Sequence, residues 1–274
     1  MVDSGLRKPV VFTDLDGTLL DHDSYSWVAA KPALDELKRI GSPCIFNSSK
    51  TLAEMLQLAR ETGVCAPLIC ENGGGVAIPA GWQPGDQDCG DYRPQNYRLH
   101  ALGAPRERIL EQLEPLRGRY RFRSYCQMSA AEVAQRTGLA EPDAENSMQR
   151  NFTEPCVWED SDAAFDQFRQ ELENCDLLVQ RGGRFAHVMG RSDKGGALKW
   201  CMARWFDESN WLSVAAGDGE NDIAMLDAAD IAILVRSQHL NPPHCANPNS
   251  RLTDDYGPAG WSGAILAELN RGDL

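Results

Sequence analysis

VVFTDLDGTLLD, residues 10–21, sets the reading of the whole chain. Residues 10–13 are apolar or β-branched, and the run stops at Asp14-Leu15-Asp16-Gly17. Such a run, ended by Asp and Gly, predicts a buried parallel strand that hands its carboxylates to the loop beyond its C-terminal end. Phosphoryl transfer to water is difficult because the nucleophile must approach an anion. In this loop Asp14 can attack phosphorus, while Asp16 can protonate the leaving alkoxide and then take a proton from water. Gly17 and Thr18 suit a tight turn whose N–H groups face a phosphate. Taken alone, the same stretch also reads as an acidic turn capping a helix.

The rhythm repeats downstream. Ala30, Leu34, Leu37 and Ile40 recur at helical spacing, and Gly41 ends that helix. A second strand at 44–46 stops at Asn47-Ser48-Ser49-Lys50-Thr51, a helix covers about 52–62, and a third strand at 67–70 leads into Glu71-Asn72-Gly73-Gly74-Gly75. After Ile78 the pattern changes to a Gly-, Pro- and Asp-rich passage that suits an excursion. Helices are then predicted at 106–116, 130–137 and 163–172, with strands near 120–123, 149–152, 156–158, 177–179 and 185–188. The first rhythm returns with a helix at 196–206, strands at 214–216 and 231–235, and a terminal helix at 261–270. These elements predict an α/β fold: a doubly wound, mostly parallel Rossmann-like sheet with an inserted α+β cap. The core is expected from 1–80 and 191–274, the cap from 81–190.

Composition narrows the classes. With 274 residues, 42% hydrophobic and 24% charged, the chain can bury an ordinary core. Its net charge of -13 argues against a nucleic-acid partner, which requires clustered Lys and Arg to displace counterions. Nine dispersed cysteines without a CxxC pair or zinc spacing read as reduced, mostly buried side chains. With no signal-peptide core or membrane-spanning run, they predict a soluble cytoplasmic protein.

Three further clusters carry chemistry. Ser48 can donate to a phosphoryl oxygen, although SSKT also reads as a helix start with Ser49 or Thr51 as cap. Lys194 stands at a helix start, where its charge opposes the helix dipole, so an anionic partner is sought for it. In Gly217-Asp218-Gly219-Glu220-Asn221-Asp222 the two aspartates can approach one cation if the glycines permit the bend. Hard Mg²⁺ wants oxygen, and Asp14, Asp218 and the backbone carbonyl of Asp16 offer it. Asp222 is assigned a water-bridged or orienting place, and Asn221 the orienting of the carboxylates.

DLDGT, SSKT, DKG and GDGEND together resemble the signatures of the haloacid-dehalogenase-like phosphohydrolase superfamily. The resemblance implies Asp14 as nucleophile, Asp16 as acid/base, and Ser48 and Lys194 as phosphate-site residues. With ENGGG, QRNFTEP and RGGRFAH added, the whole chain looks like the mannosyl-3-phosphoglycerate phosphatase family. That likeness implies Mg²⁺-dependent hydrolysis of a small phosphorylated sugar-glycerate, with the cap recognising sugar and glycerate. Asn72, Gly73, Gln149, Arg150, Arg184 and His187 are then the substrate-contact candidates, an arginine being suited to the glycerate carboxylate. Another sugar phosphatase, a phosphosugar mutase and a non-catalytic phosphosugar-binding regulator are the alternatives.

Overall fold

The computed structural model describes residues 7–86, 88–182 and 184–271. Strand β1 (Lys8–Thr13) is buried at every position after Lys8, as a strand covered on both faces must be. It is followed by α1 (Lys31–Ile40), β2 (Cys44–Asn47), α2 (Leu52–Thr62), β3 (Leu68–Cys70), β4 (Gly75–Pro79) and β5 (Tyr97–Ala101). Gly41 ends α1 in the left-handed conformation, and Thr51 with Glu54 forms a capping box at the start of α2.

The chain then builds α3 (Arg106–Leu113), β6 (Phe122–Ser124), α4 (Ala130–Thr137), α5 (Glu141–Met148), β7 (Thr153–Trp158), α6 (Asp162–Asn174), β8 (Leu177–Arg181) and β9 (Ala186–Gly190). It returns through α7 (Lys194–Trp205), β10 (Trp211–Gly217), α8 (Ile223–Ala228), β11 (Ile231–Arg236), β12 (Ser250–Tyr256) and α9 (Gly257–Asn270).

Two sheets result. The larger runs β12-β11-β10-β1-β2-β3-β4-β5, parallel from β12 through β3 and antiparallel at β4 and β5. Its order reverses between β1 and β10, so the loops after these two strands open side by side at the place where such sheets bind ligands. Phe12, Phe46 and Trp261 are fully buried in its core, each worth roughly 2–3 kcal/mol in apolar transfer. The smaller sheet, β6-β7-β9-β8, is wholly antiparallel. Alternation along its strands separates two faces: Phe122, Cys156 and Val188 pack with α3 and α6, while Val157 and Phe185 pack with residues of α4 and α5.

Glu71 joins the two parts. Its fully buried carboxylate accepts from Asn151 N (2.7 Å), Phe152 N (3.0 Å) and Thr153 Oγ1 (2.6 Å). Those amides are therefore committed to a side chain, which is why the strand expected at 149–152 begins only at Thr153. Opposite, Gly73 has φ +84°, and a Cβ there would overlap the Asp193 carbonyl. Only glycine lets these two crossing segments lie so close.

Other departures have physical reasons. Residues 97–101, within the span expected for the cap, form β5 and pair with β4 in the larger sheet. The Glu141–Met148 helix has no sequence signal because EPDAENSM offers almost no apolar period, and polarity masks the charged edge strand Ser250–Tyr256. Cys65 and Cys89 form a disulfide across 24 residues, with Cα atoms 5.3 Å apart. This overturns the reading of nine reduced thiols, since dispersed spacing alone cannot reveal a pairing. No helix among the described residues is long and apolar enough to cross a membrane.

Candidate active site

Asp14 follows β1 directly, and its amide donates to the Ala216 carbonyl of β10 (2.9 Å). That bond ties the first aspartate to the strand that delivers Asp218. Gly17, at φ +78°, turns the loop back; a Cβ on it would stand 2.5 Å from Asp218 Oδ2. Thr18, fully buried, donates its hydroxyl to Asp218 Oδ1 (3.2 Å). The turn and the second carboxylate are thus built against each other across 200 residues.

Lys194 is fully buried at the first turn of α7, whose cap is Asp193 accepting from Gly196 N (2.7 Å). The Lys194 ammonium, opposed by the helix dipole, donates to Asp14 Oδ1 and to Asp222 Oδ1, each at 2.6 Å. Burial disfavours its charge, but the two carboxylates outweigh that effect and hold its pKa above the usual lysine value. Asn47 fixes the same turn by donating to the Lys194 carbonyl (2.9 Å).

Asp222 is fully occupied. Its Oδ1 accepts from Lys194, and its Oδ2 accepts from the amides of Asp218 (3.1 Å) and Gly219 (3.0 Å). Asn221, half-buried, lies over Gly219. Asp14, Asp218 and Asp222 bring carboxylate oxygens within 4.8 Å of one another, all buried. Burial first, and then Asp222, raises the Asp14 pKa well above the carboxylate range, with Lys194 opposing. The same order of causes pushes Asp218 up to about 6. Three carboxylates facing one ammonium leave the cluster short of positive charge, and an oxygen-only donor set suits a hard cation.

Asp16 points elsewhere: its Oδ1 pairs with Lys50 Nζ at 2.9 Å and its side chain is 38% exposed, open enough to exchange a proton with solvent or substrate. Lys50 also lies over the Tyr25 ring, 5.4 Å from its centroid. Ser48 is buried at the carboxyl end of β2, with its amide on Ile69 O and its carbonyl taken by the Asn72 amide. Thr51, not Ser49, caps α2. Thr18 is expected in the phosphate-facing turn but not as a donor to Asp218, and Asn47 and Lys50 carry no expected role in the site. All three lay inside quoted motifs, but only tertiary contacts reveal what they touch.

The cap candidates separate. Arg150 donates to Thr153 Oγ1 (2.8 Å) and reaches the Ser49 carbonyl (3.4 Å), while its buried Nε has no partner. Asn72, at φ +56°, likewise leaves a buried Oδ1 unpartnered. His187 stands near enough to Arg150 for its pKa to fall to about 4, through burial first and the guanidinium second. Arg184 is exposed and bonded to the Thr137 carbonyl (2.7 Å), and Gln149 is exposed beside Asn146. Gly73 serves the crossing described above.

Comparison with known proteins places the chain in a family. A family model described as haloacid dehalogenase-like hydrolase matches residues 11–86. The chain is 34% identical over 272 residues to a glucosyl-3-phosphoglycerate/mannosyl-3-phosphoglycerate phosphatase of Persephonella marina, covering 96% of this chain and 99% of that one. A phosphatase of the same description from Methanococcoides burtonii is 34% identical over 268 residues, covering 94% and 96%. A solved structure of a phosphatase of the haloalkanoate superfamily from Bacteroides thetaiotaomicron superposes with a TM-score of 0.66 at 16% identity, covering 100% of this chain and 98% of that one.

Proposed function

Because the chain belongs to the haloacid-dehalogenase-like hydrolase superfamily, as a relative of the glucosyl-3-phosphoglycerate/mannosyl-3-phosphoglycerate phosphatases, we propose that it hydrolyses 2-O-mannosyl-3-phosphoglycerate to 2-O-mannosylglycerate and phosphate. Phosphohydrolase chemistry follows from the family and fold. The observation that carries the mechanism is the buried Lys194, held between Asp14 and Asp222 beside Asp218.

In the first step Asp14 attacks phosphorus, and the P–O bond to glycerate breaks as Asp16 gives its proton to the departing oxygen. Asp16, now a carboxylate, takes a proton from water; that water attacks phosphorus and releases phosphate from Asp14. Lys194 steadies Asp14, and the Ser48 hydroxyl donates to a phosphoryl oxygen. Asp14, Asp218 and the backbone carbonyl of Asp16 would hold Mg²⁺, which when bound neutralises charge on the phosphoryl group. Asp222 and Asn221 keep the loop in place.

Two buried atoms without partners support the substrate reading. Arg150 Nε is a free donor at the edge of the phosphate loop, suited to the glycerate carboxylate, and Asn72 Oδ1 is a free acceptor suited to a hydroxyl. His187, kept neutral, can serve a sugar hydroxyl. Gln149 and Arg184 would engage substrate only on closure of the cap.

A panel of phosphate esters assayed with Mg²⁺ tests this reading. Mannosyl-3-phosphoglycerate should exceed simple hexose phosphates in kcat/KM; the reverse order would refute the substrate. Arg150→Ala should lower kcat/KM for the glycerate ester by about 100-fold and leave a simple aryl phosphate within a few-fold. Equal losses would remove Arg150 from recognition.

A further inference from the structure

His22 and Asp23 lie on the loop that leaves the DLDGT turn, and His239 lies on the loop after β11, 216 residues from Asp23 in sequence. All three are exposed, yet their ligand atoms converge within 4.8 Å. The His22 and His239 rings stack with centroids 4.3 Å apart, and His239 Nε2 stands 3.3 Å from Asp23 Oδ2. That contact is itself a hydrogen bond at the long end of the range. Its length matches the ~3.4 Å edge expected between two donors each about 2.1 Å from a tetrahedral ion.

The loop is also ordered in advance. Asp21 Oδ1 accepts from Asp23 N (3.3 Å), Ser24 N (2.8 Å) and Ser24 Oγ (2.7 Å), which closes a turn and holds His22 and Asp23 outward. Asp21 is therefore not a competing ligand through that oxygen. Of the other histidines, His100 stacks on Trp200 and His187 lies in the cap, while His244 is exposed further along the loop after β11 and outside this group.

We propose that His22, Asp23 and His239 form a second metal site, separate from the carboxylate cluster, for a borderline transition cation such as Zn²⁺ or Ni²⁺. Two imidazoles and one carboxylate prefer such ions to Mg²⁺, which favours oxygen alone. An ion bound there bridges the loop beside the reactive turn to the loop after β11. Because Tyr25 on the first loop covers Lys50, and Lys50 pairs with Asp16, the clip lies two contacts from the catalytic acid/base candidate.

The test is a Zn²⁺ titration of the full chain kept in millimolar Mg²⁺, in a Cys126→Ser background that removes an exposed thiol. The wild-type site should bind one Zn²⁺ per chain, and His22→Ala and His239→Ala should each weaken it by roughly ten-fold or more. Asp218→Asn, which alters only the carboxylate cluster, should leave that affinity unchanged. Ni²⁺ should broaden the ring-proton signals of His22 and His239 before those of His100. Wild-type affinity in both histidine variants, loss of the site in Asp218→Asn, or earlier broadening of His100 would each overturn the proposal.

Discussion

Glu71→Ala should loosen the joint between core and cap more than any surface change of similar size. The Glu71 carboxylate, with no exposed surface, accepts two backbone amides and one hydroxyl from residues 151–153. Hydrogen bonds to a charged group contribute about 1.5–3 kcal/mol each, and each buried donor left unpaired loses roughly 1–3 kcal/mol. Release of the buried charge offsets part of that sum, so the net destabilisation is expected at about 3–5 kcal/mol. That is a large share of the ~5–15 kcal/mol typical of a folded chain. Glu71→Gln keeps one acceptor oxygen but turns an N–H₂ group toward a donor, and should fall between the two. Urea unfolding at fixed pH measures both, with the midpoint read against an unchanged slope. Because Thr153 also holds Arg150, hydrolysis of the glycerate ester should fall in parallel. A Glu71→Ala chain within about 0.5 kcal/mol of wild type would show that these three bonds do not secure the joint.

Other perturbations give independent checks. Gly17→Ala forces a Cβ to 2.5 Å from Asp218 Oδ2 at φ +78°, so it should destabilise by about 1–2 kcal/mol and lower kcat by ~100-fold; wild-type kcat would contradict the loop geometry. For His187, whose folded pKa falls from 6.5 to about 4, the unfolded chain binds more protons between those values. Its contribution is therefore complete above pH 6.5 and lost as pH falls toward 4, by at most about 3 kcal/mol. His187→Leu should flatten that part of the stability curve, and an unaltered acid limb would count against it. Chelation of Mg²⁺ should abolish hydrolysis and lower Tm, and added Mg²⁺ should restore both; an unchanged Tm would argue against a cation in the carboxylate cluster.

Most of the main sheet is legible because its inner parallel strands are short continuous apolar runs followed by polar or Gly-rich loops, and β1, β2 and β3 show this most plainly. Lys194 was legible for another reason: its charge conflicted with its place at a helix start, and the conflict resolves in contacts to Asp14 and Asp222. In sequence Glu71 is only part of a glycine-rich loop, because its partners lie about 80 residues away. Lys50 was hidden similarly, its role set by a cross-loop pair with Asp16. The polar helix Glu141–Met148 and the charged strand Ser250–Tyr256 have too little apolar period to announce themselves, and their neighbours decide them. The Cys65–Cys89 bond has no local sequence signal at all.

The central claim is that Asp14 carries the phosphoryl group between the two steps. Enzyme mixed with excess substrate and Mg²⁺, quenched in acid within milliseconds and reduced with borohydride, converts an acyl phosphate to homoserine. Peptide mass spectrometry should then find homoserine at position 14, with Asp218 and Asp222 unmodified and no conversion in Asp14→Asn. Homoserine at another aspartate, or a full burst of free phosphate with position 14 unmodified throughout, would contradict the account.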